Sequence, residues 1–170
     1  MATNIEWKAR ARDWSRQQEL ARHLAGECAA VLHQRDTFFA VPDGRLKLRE
    51  LSENEADLIF YHRANIAGAK VSNFHAAKTR HPAEVREVFA NRLGVLGDVI
   101  KTRWLYLTGQ SRLHFDLVEG LGHFIEVEVV LREEQSHEEG HHIARDLQEK
   151  LGVTMDDLIG VAYFDLLFQT

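Results

Sequence analysis

The sequence holds one cysteine, Cys28, and two prolines, Pro42 and Pro82. A single thiol excludes an internal disulfide and a thiolate metal cage. With so few prolines and no Pro/Gly/Ser-rich stretch to act as a linker, a single domain over residues 1–170 is expected. Long apolar runs are missing as well. Nothing approaches a membrane span, and the N-terminal MATNIEWKAR is charged from its sixth residue, so it lacks the apolar stretch of a signal peptide. The expectation is a cytoplasmic protein without membrane contact. A basic excess is absent too: 21 Lys and Arg face 26 Asp and Glu, for a net charge of −5. That balance argues against a nucleic-acid binder, whose partner demands a basic surface, and leaves room for local basic clusters that take small anions. What the chain does have is a 45% hydrophobic content, enough for a real core.

Periodicity divides the chain into strands and helices. In NIEWKARAR, Asn4, Glu6, Lys8, Arg10 and Arg12 alternate with Ile5, Trp7, Ala9 and Ala11, the period-2 pattern of a strand with one dry and one wet face. A helix is predicted to start at Asp13 or Ser15, with Ser15 and Gln18 at capping-box spacing and Gly26 just past its end. Strand follows from about Ala29 to Val41, then a turn at Pro42–Gly44, then RLKLREL, ADLIFYHRA and AKVSNFHAA. Pro82 opens a second helix that Gly94 closes. Three more strands, VIKTRWLYLTG, SRLHFDLVEG and GHFIEVEVVL, lead to a third helix from about Glu134 to Leu151 and to a tail, YFDLLF, expected to pack on the body. Eight strands joined mostly as hairpins, with about three helices, describe an α+β protein on a large antiparallel sheet or closed β-barrel.

The charged faces recur. Arg45, Lys47 and Arg49 alternate with leucines; Lys101 and Arg103 share a face, as do Arg112, His114 and Asp116; Glu126 and Glu128 form an acidic pair opposite Ile125, Val127 and Val129. Any one of these is an ordinary solvated sheet face. As a set they segregate charge by strand, and a sheet closed with these faces inward would enclose a basic lumen holding a small carboxylate cluster. Lys and Arg neutralise phosphate oxygens, and paired carboxylates hold Mg²⁺ or Mn²⁺, so the combination suits a metal-chelated polyphosphate.

The segments IEWKAR, HQRDTFFAVPDGRLKLRE, LIFYHR, AKVSNF, SRLHFDLVEGLGHFIEVEV and YFDLL, in that order, resemble the CYTH superfamily, the triphosphate tunnel metalloenzymes, and within it the class IV adenylyl cyclase (CyaB-like) branch. The resemblance runs from residue 4 to about residue 168 and implies an eight-stranded antiparallel tunnel with a charged interior. In the family's Glu-x-Glu-x-Lys strand, Glu6 and Lys8 stand at the second and last signature positions, while Asn4 replaces the first Glu. The resemblance implies Mg²⁺ or Mn²⁺ held by Glu6, Glu126 and Glu128. It implies a triphosphate clamped by Lys8, Arg10, Arg45, Lys47, Arg49, Arg63, Lys70, Lys101, Arg103 and Arg112. It implies that Lys8 stands nearest the chemistry and that Asp116 serves as outer ligand or proton acceptor; Asp36 is expected to orient a lumen base, the alternative being a turn-side hydrogen bond. The implied reaction is ATP to cyclic AMP and pyrophosphate, with an inorganic or organic triphosphatase and a non-catalytic nucleotide or polyphosphate binder as alternatives. A homodimer is implied by the branch.

One motif competes. His137, Glu138 and His141 fit the zincin pattern H-E-x-x-H. Gly140 interrupts that segment, its flanks are almost wholly polar, and no third ligand stands at a suitable spacing, so a solvated start to the last helix is the better account. Trp7, Trp104 and Phe115 are expected to pack, and His33, His62 and His75 to be structural.

Overall fold

A computed structural model describes residues 2–168. The elements are β1 (Ala2–Arg10), α1 (Trp14–Ala25), β2 (Ala30–Phe39), β3 (Arg45–Ser52), β4 (Glu55–Arg63), β5 (Lys70–Thr79), α2 (Pro82–Leu93), β6 (Val95–Thr108), β7 (Ser111–Val118), β8 (Gly122–Val130), α3 (His137–Lys150), β9 (Leu158–Ile159) and α4 (Tyr163–Phe168). The strands run in the order β5-β4-β3-β2-β6-β7-β8-β1, and β1 pairs back onto β5, so the sheet closes into an eight-stranded antiparallel barrel, as the family resemblance implies. Each pairing in the circuit is antiparallel. The two-residue β9 is an addition. It continues the pairing along β1 at Lys8 and Ala9, where β5 has ended its pairing at Glu6.

Local chemistry sets the helix ends. Asp13, not Ser15, caps α1: its carboxylate accepts the Arg16 N–H at 3.2 Å, while Gln17 Oε1 accepts the Asp13 N–H at 3.2 Å. The third helix begins later than residue 134, because Ser136 and Glu139 form a reciprocal capping box.

The outward side chains of β1, Ile5, Trp7 and Ala9, are fully buried beneath helices, and Trp7 Nε1 donates to the carbonyl of Ala144 in α3 at 2.8 Å. Gly140 lies where α3 crosses β1. A Cβ there would come within 2.6 Å of Ile5 Cγ1 and 2.5 Å of Leu131 Cδ2, so the glycine that weakens the helix also lets it lie close on the barrel. His137 and Glu138 stand exposed and His141 half-buried on the same helix, and among the described residues the H-E-x-x-H pattern brings no group of three ligands together. Trp14 of α1 packs edge-on against Trp104 and Phe115, with ring centroids 5.7 Å and 5.5 Å away. On the other side, α2 sets Val85 and Phe89 over Phe39 and Leu48.

The tail does more than pack on the exterior. It forms α4, whose Tyr163 and Phe164 meet Phe38, Val99, Val118 and Phe124 at one end of the barrel, closing it. Among the described residues no helix is long and apolar enough to cross a membrane.

Candidate tunnel site

Inside the barrel lies a cavity of about 430 Å³. Eight basic and five acidic side chains line it, so a chain of net charge −5 encloses an interior of the opposite sign. The alternation explains how: every second residue of each strand points inward, and many of those residues are charged.

Toward the closed end, Asp36 of β2 is a hub. It accepts from Lys47 Nζ at 2.9 Å, from Arg49 at 2.8 and 2.7 Å, and from Lys101 Nζ at 3.3 Å. Burial alone would raise its carboxyl, but Arg49, Lys101 and Lys47 together hold it well below the usual range. Three cations share one anion, so the hub keeps a surplus positive charge. Burial, with Arg49 beside it, pushes Lys47 down to about 8. Lys101 is also pushed well below the ordinary lysine value by burial and then by Arg49.

A second hub joins β6, β7, β8 and α4. Arg103 makes a bidentate fork to Asp116, 2.7 Å on each arm, and reaches Glu126 at 3.1 Å. The Tyr163 hydroxyl donates to the same Asp116 at 2.8 Å. Lys8 Nζ lies 4.0 Å from Glu126 and 4.1 Å from the centre of the Tyr163 ring. Burial would raise the Glu126 carboxyl, but Lys8 and Arg103 hold it well below its usual range.

Glu6, Glu126 and Glu128 converge, with one carboxylate oxygen from each lying within 4.8 Å of the others. The strand register produces this, because Glu6 of β1 stands directly opposite Glu128 of β8 and Lys8 opposite Glu126. Arg63 bonds Glu6 at 2.9 Å and Arg112 pairs with Glu128 at 3.0 Å. Asn4, two residues before Glu6 on the same inward face, has a buried Oδ1 with no partner. Three hard carboxylates and a neighbouring unpartnered amide oxygen fit a small, hard divalent cation such as Mg²⁺ or Mn²⁺.

The residues expected of such a site divide in two. Lys8, Lys47, Arg49, Arg63, Lys101, Arg103, Arg112, Glu6, Glu126 and Glu128 line the cavity. Four others do not. Arg10 is exposed beyond the rim, with its guanidinium 5.2 Å from the centre of the Phe124 ring. Arg45 is turned to Asp165 of α4 at 2.7 Å. Lys70 donates to the carbonyls of Ile66 and Gly160, 2.9 Å each. Asp116 is fully buried behind Arg103, with both oxygens taken, and positions that arginine from outside the cavity. Arg12, on the same face as Lys8, has left the barrel and bonds Asp157.

The cavity also receives residues that sequence reasoning passes over, Lys78, Gln34 and Tyr163, beside His114, which shares the charged face of Arg112. Lys78 is within reach of the alternation, since Lys70, Ser72, Phe74, Ala76 and Lys78 share one face of β5. Tyr163 carries no such signal, because the position of α4 depends on the whole barrel.

Comparison with curated protein sequences gives no significant match. Solved structures share the fold. A Pyrococcus horikoshii OT3 protein, PH1012, is 23% identical with a TM-score of 0.82, over 96% of this chain and 98% of that one. A candidate adenylate cyclase from Vibrio parahaemolyticus is 15% identical with a TM-score of 0.75, over 96% and 97%. A Hippeastrum protein, a candidate adenylyl cyclase with a dominant triphosphatase activity, is 17% identical with a TM-score of 0.67, over 98% and 94%. The profile of the CYTH domain matches residues 2–163, nearly the whole barrel with its charged lumen, and the chain belongs to the CYTH domain family.

Proposed function

We propose that this CYTH protein is a divalent-metal-dependent enzyme that takes a nucleoside triphosphate into its tunnel and converts ATP to cyclic AMP and pyrophosphate. The carboxylate cluster of Glu6, Glu126 and Glu128 within a basic lumen is the observation that carries the reading. Mg²⁺ or Mn²⁺ held by these three residues supplies charge neutralisation at the phosphoryl oxygens.

The protein's own groups divide the remaining work along the tunnel. Lys47, Arg49 and Lys101, gathered at Asp36 toward the closed end, grip the terminal phosphates and take up the charge of the departing pyrophosphate. Lys8 and Arg103, next to Glu126, face the phosphorus under attack, and Asp116 fixes the Arg103 fork. Arg112 and Glu128 lie nearer the open end. A triphosphate gripped at its terminal phosphates by the Asp36 hub would present its α-phosphorus to the carboxylate cluster, where the ribose 3′-hydroxyl could reach it.

Hydrolysis is the second reading. The clamp grips phosphates regardless of the nucleophile, and the Hippeastrum relative has a dominant triphosphatase activity. Incubation of the protein with Mg²⁺ or Mn²⁺ and either ATP or tripolyphosphate, with products resolved by ion exchange, separates the two. Cyclic AMP with pyrophosphate is expected. Orthophosphate in its place makes the protein a triphosphatase, and binding without product makes it a carrier.

A further inference from the structure

Of the chain's six lysines, Lys8, Lys70 and Lys101 are buried and Lys78 and Lys150 exposed, while Lys47 is half-buried inside the cavity. Its side chain keeps 13% of its surface open, against 2% for Lys101 and 5% for Lys8. A small molecule deep in the lumen meets this amine before the other two.

The surroundings of Lys47 are of two kinds. Along β3 its inward neighbour is Arg49, and Lys101 shares with both of them the carboxylate of Asp36. Across the sheet its neighbours are apolar: Phe38 of β2 and Ile59 of β4 stand directly opposite it, and the centre of the Tyr61 ring is 5.5 Å from Nζ. All three line the cavity. The amine therefore lies where an anion-binding surface meets an apolar one. Asp36, 2.9 Å from Nζ, stabilises the positive charge that develops on this nitrogen when it attacks a carbonyl. Burial, with Arg49 beside it, lowers Lys47 to about 8. At pH 8 about half of it is then the neutral, nucleophilic amine, whereas an ordinary lysine is under about 1% neutral. An acyl phosphate carries less charge than a triphosphate and leaves more of Lys47 neutral.

We propose that Lys47 is an acyl-acceptor site for acyl phosphates, the mixed anhydrides of a carboxylic acid and phosphoric acid. The phosphate lies on Arg49 and Lys101, and the acyl group lies against Phe38, Ile59 and Tyr61. Nζ attacks the acyl carbon and a C–N bond forms. The bond from that carbon to the bridging oxygen breaks, and its electron pair leaves with inorganic phosphate, which takes the surplus proton from nitrogen. The resulting amide is uncharged and fills part of the lumen, so acylation weakens the clamp and a bound triphosphate prevents acylation.

The inference rests on the reading of the basic lumen as a triphosphate clamp, and the test separates the two. The natural protein is incubated at pH 8 with acetyl phosphate or with the N-hydroxysuccinimide ester of acetic acid, an uncharged donor. Peptide mass spectrometry follows acetylation of each lysine, and isothermal titration measures tripolyphosphate binding with Mg²⁺. Acetyl phosphate is expected to acetylate Lys47 at least about tenfold faster than Lys150, with a smaller preference from the uncharged donor. Tripolyphosphate is expected to protect Lys47 and not Lys150. The acetylated protein is expected to bind tripolyphosphate about tenfold or more weakly, a loss that Lys47→Arg, charged and without the acceptor amine, escapes. Lys47 reacting no faster than Lys150, later than Lys8 or Lys101, or with equal preference from the uncharged donor overturns the acceptor site; tripolyphosphate binding then leaves the clamp standing. Failure of the natural protein to bind tripolyphosphate overturns the clamp, and the acceptor site with it.

Discussion

Tyr163 donates its phenolic proton to Asp116 across 2.8 Å, in a bond that is fully buried. It ties the helix that closes the tunnel to the carboxylate that aims Arg103 at Glu126. The end-cap and the reactive region are therefore one hydrogen-bonded unit, and disturbing the cap is expected to disturb the arginine. Tyr163→Phe removes only the hydroxyl. A loss of about 1–2 kcal/mol in stability is expected, since Asp116 keeps its arginine. At this chain length that lowers Tm by about 2–8 °C in a thermal melt. Asp116→Asn also breaks the fork and is expected to cost more; equal costs would mean that the hydroxyl, not the ion pair, holds the region together.

The hub at Asp36 predicts a different response. Asp36→Asn leaves Lys47, Arg49 and Lys101 buried without their anion, and loss of one partner from a buried ion pair typically costs about 3–5 kcal/mol. A polyanion in the lumen can replace the missing charge. Tripolyphosphate should therefore raise the Tm of the variant by more degrees than that of the natural protein, and an equal shift would remove the hub from the clamp.

The carboxylate cluster is tested by charge removal and by addition. Glu126→Gln or Glu128→Gln takes one anionic ligand from the cluster and is expected to lower metal-dependent turnover at least a hundredfold. Asn4→Glu adds a carboxylate beside Glu6 in a lumen with cations to spare. Mn²⁺ affinity, followed by electron paramagnetic resonance of the free ion, is expected to rise about tenfold, because the charge of the ligand set tunes cation affinity. Weaker binding would mean that the Asn4 side chain faces away from the ion.

Binding of the polyanion should also depend on pH. Lys47 titrates at about 8 in the empty tunnel, lowered by burial and by Arg49. A bound phosphate stabilises its charged form and raises that value. Below pH 8 Lys47 is charged with or without ligand, and affinity is flat. Above pH 8 the empty protein loses the proton while the complex keeps it, so binding takes up a proton and affinity falls, by up to about tenfold per pH unit. Titration calorimetry in buffers of different ionisation enthalpy at pH 9 reads the uptake directly. Lys47→Arg, charged at every relevant pH, should remove the Lys47 share of the dependence and leave that of Lys101, which burial also lowers.

Much of this architecture is legible in the amino-acid sequence. The alternation in IEWKAR, RLKLRE and FIEVEVV marks strands with one charged face, and the order of the segments points to the closed barrel that the strand circuit shows. Of the residues that the family resemblance implies, ten line the cavity. Arg10, Arg45, Lys70 and Asp116 lie elsewhere, and for Arg10 and Arg45 the reason is that a shared face does not fix a depth along the tunnel. Arg10 shares its face with Lys8, yet it stands one inward position further on, past the rim and in solvent. Arg45 shares its face with Lys47, yet it meets Asp165 of α4 before it meets the lumen.

The sequence alone determined which residues must lie together on one side of each strand, because a period of two is a property of the extended backbone. It also set the helix ends, through the capping groups of Ser136 and Glu139 and the glycine that follows α2. Which side faces inward is not local. That was decided when β1 closed on β5, a pairing between residues about 70 positions apart, and when α1, α2 and α3 covered the apolar faces from outside. Closure turned the inward faces of eight strands into one basic interior, brought Glu6 to Glu128, and let the short helix α4 pack over one end. Burying those charges is favourable only where each finds an opposite partner, and only the tertiary structure supplies the partners.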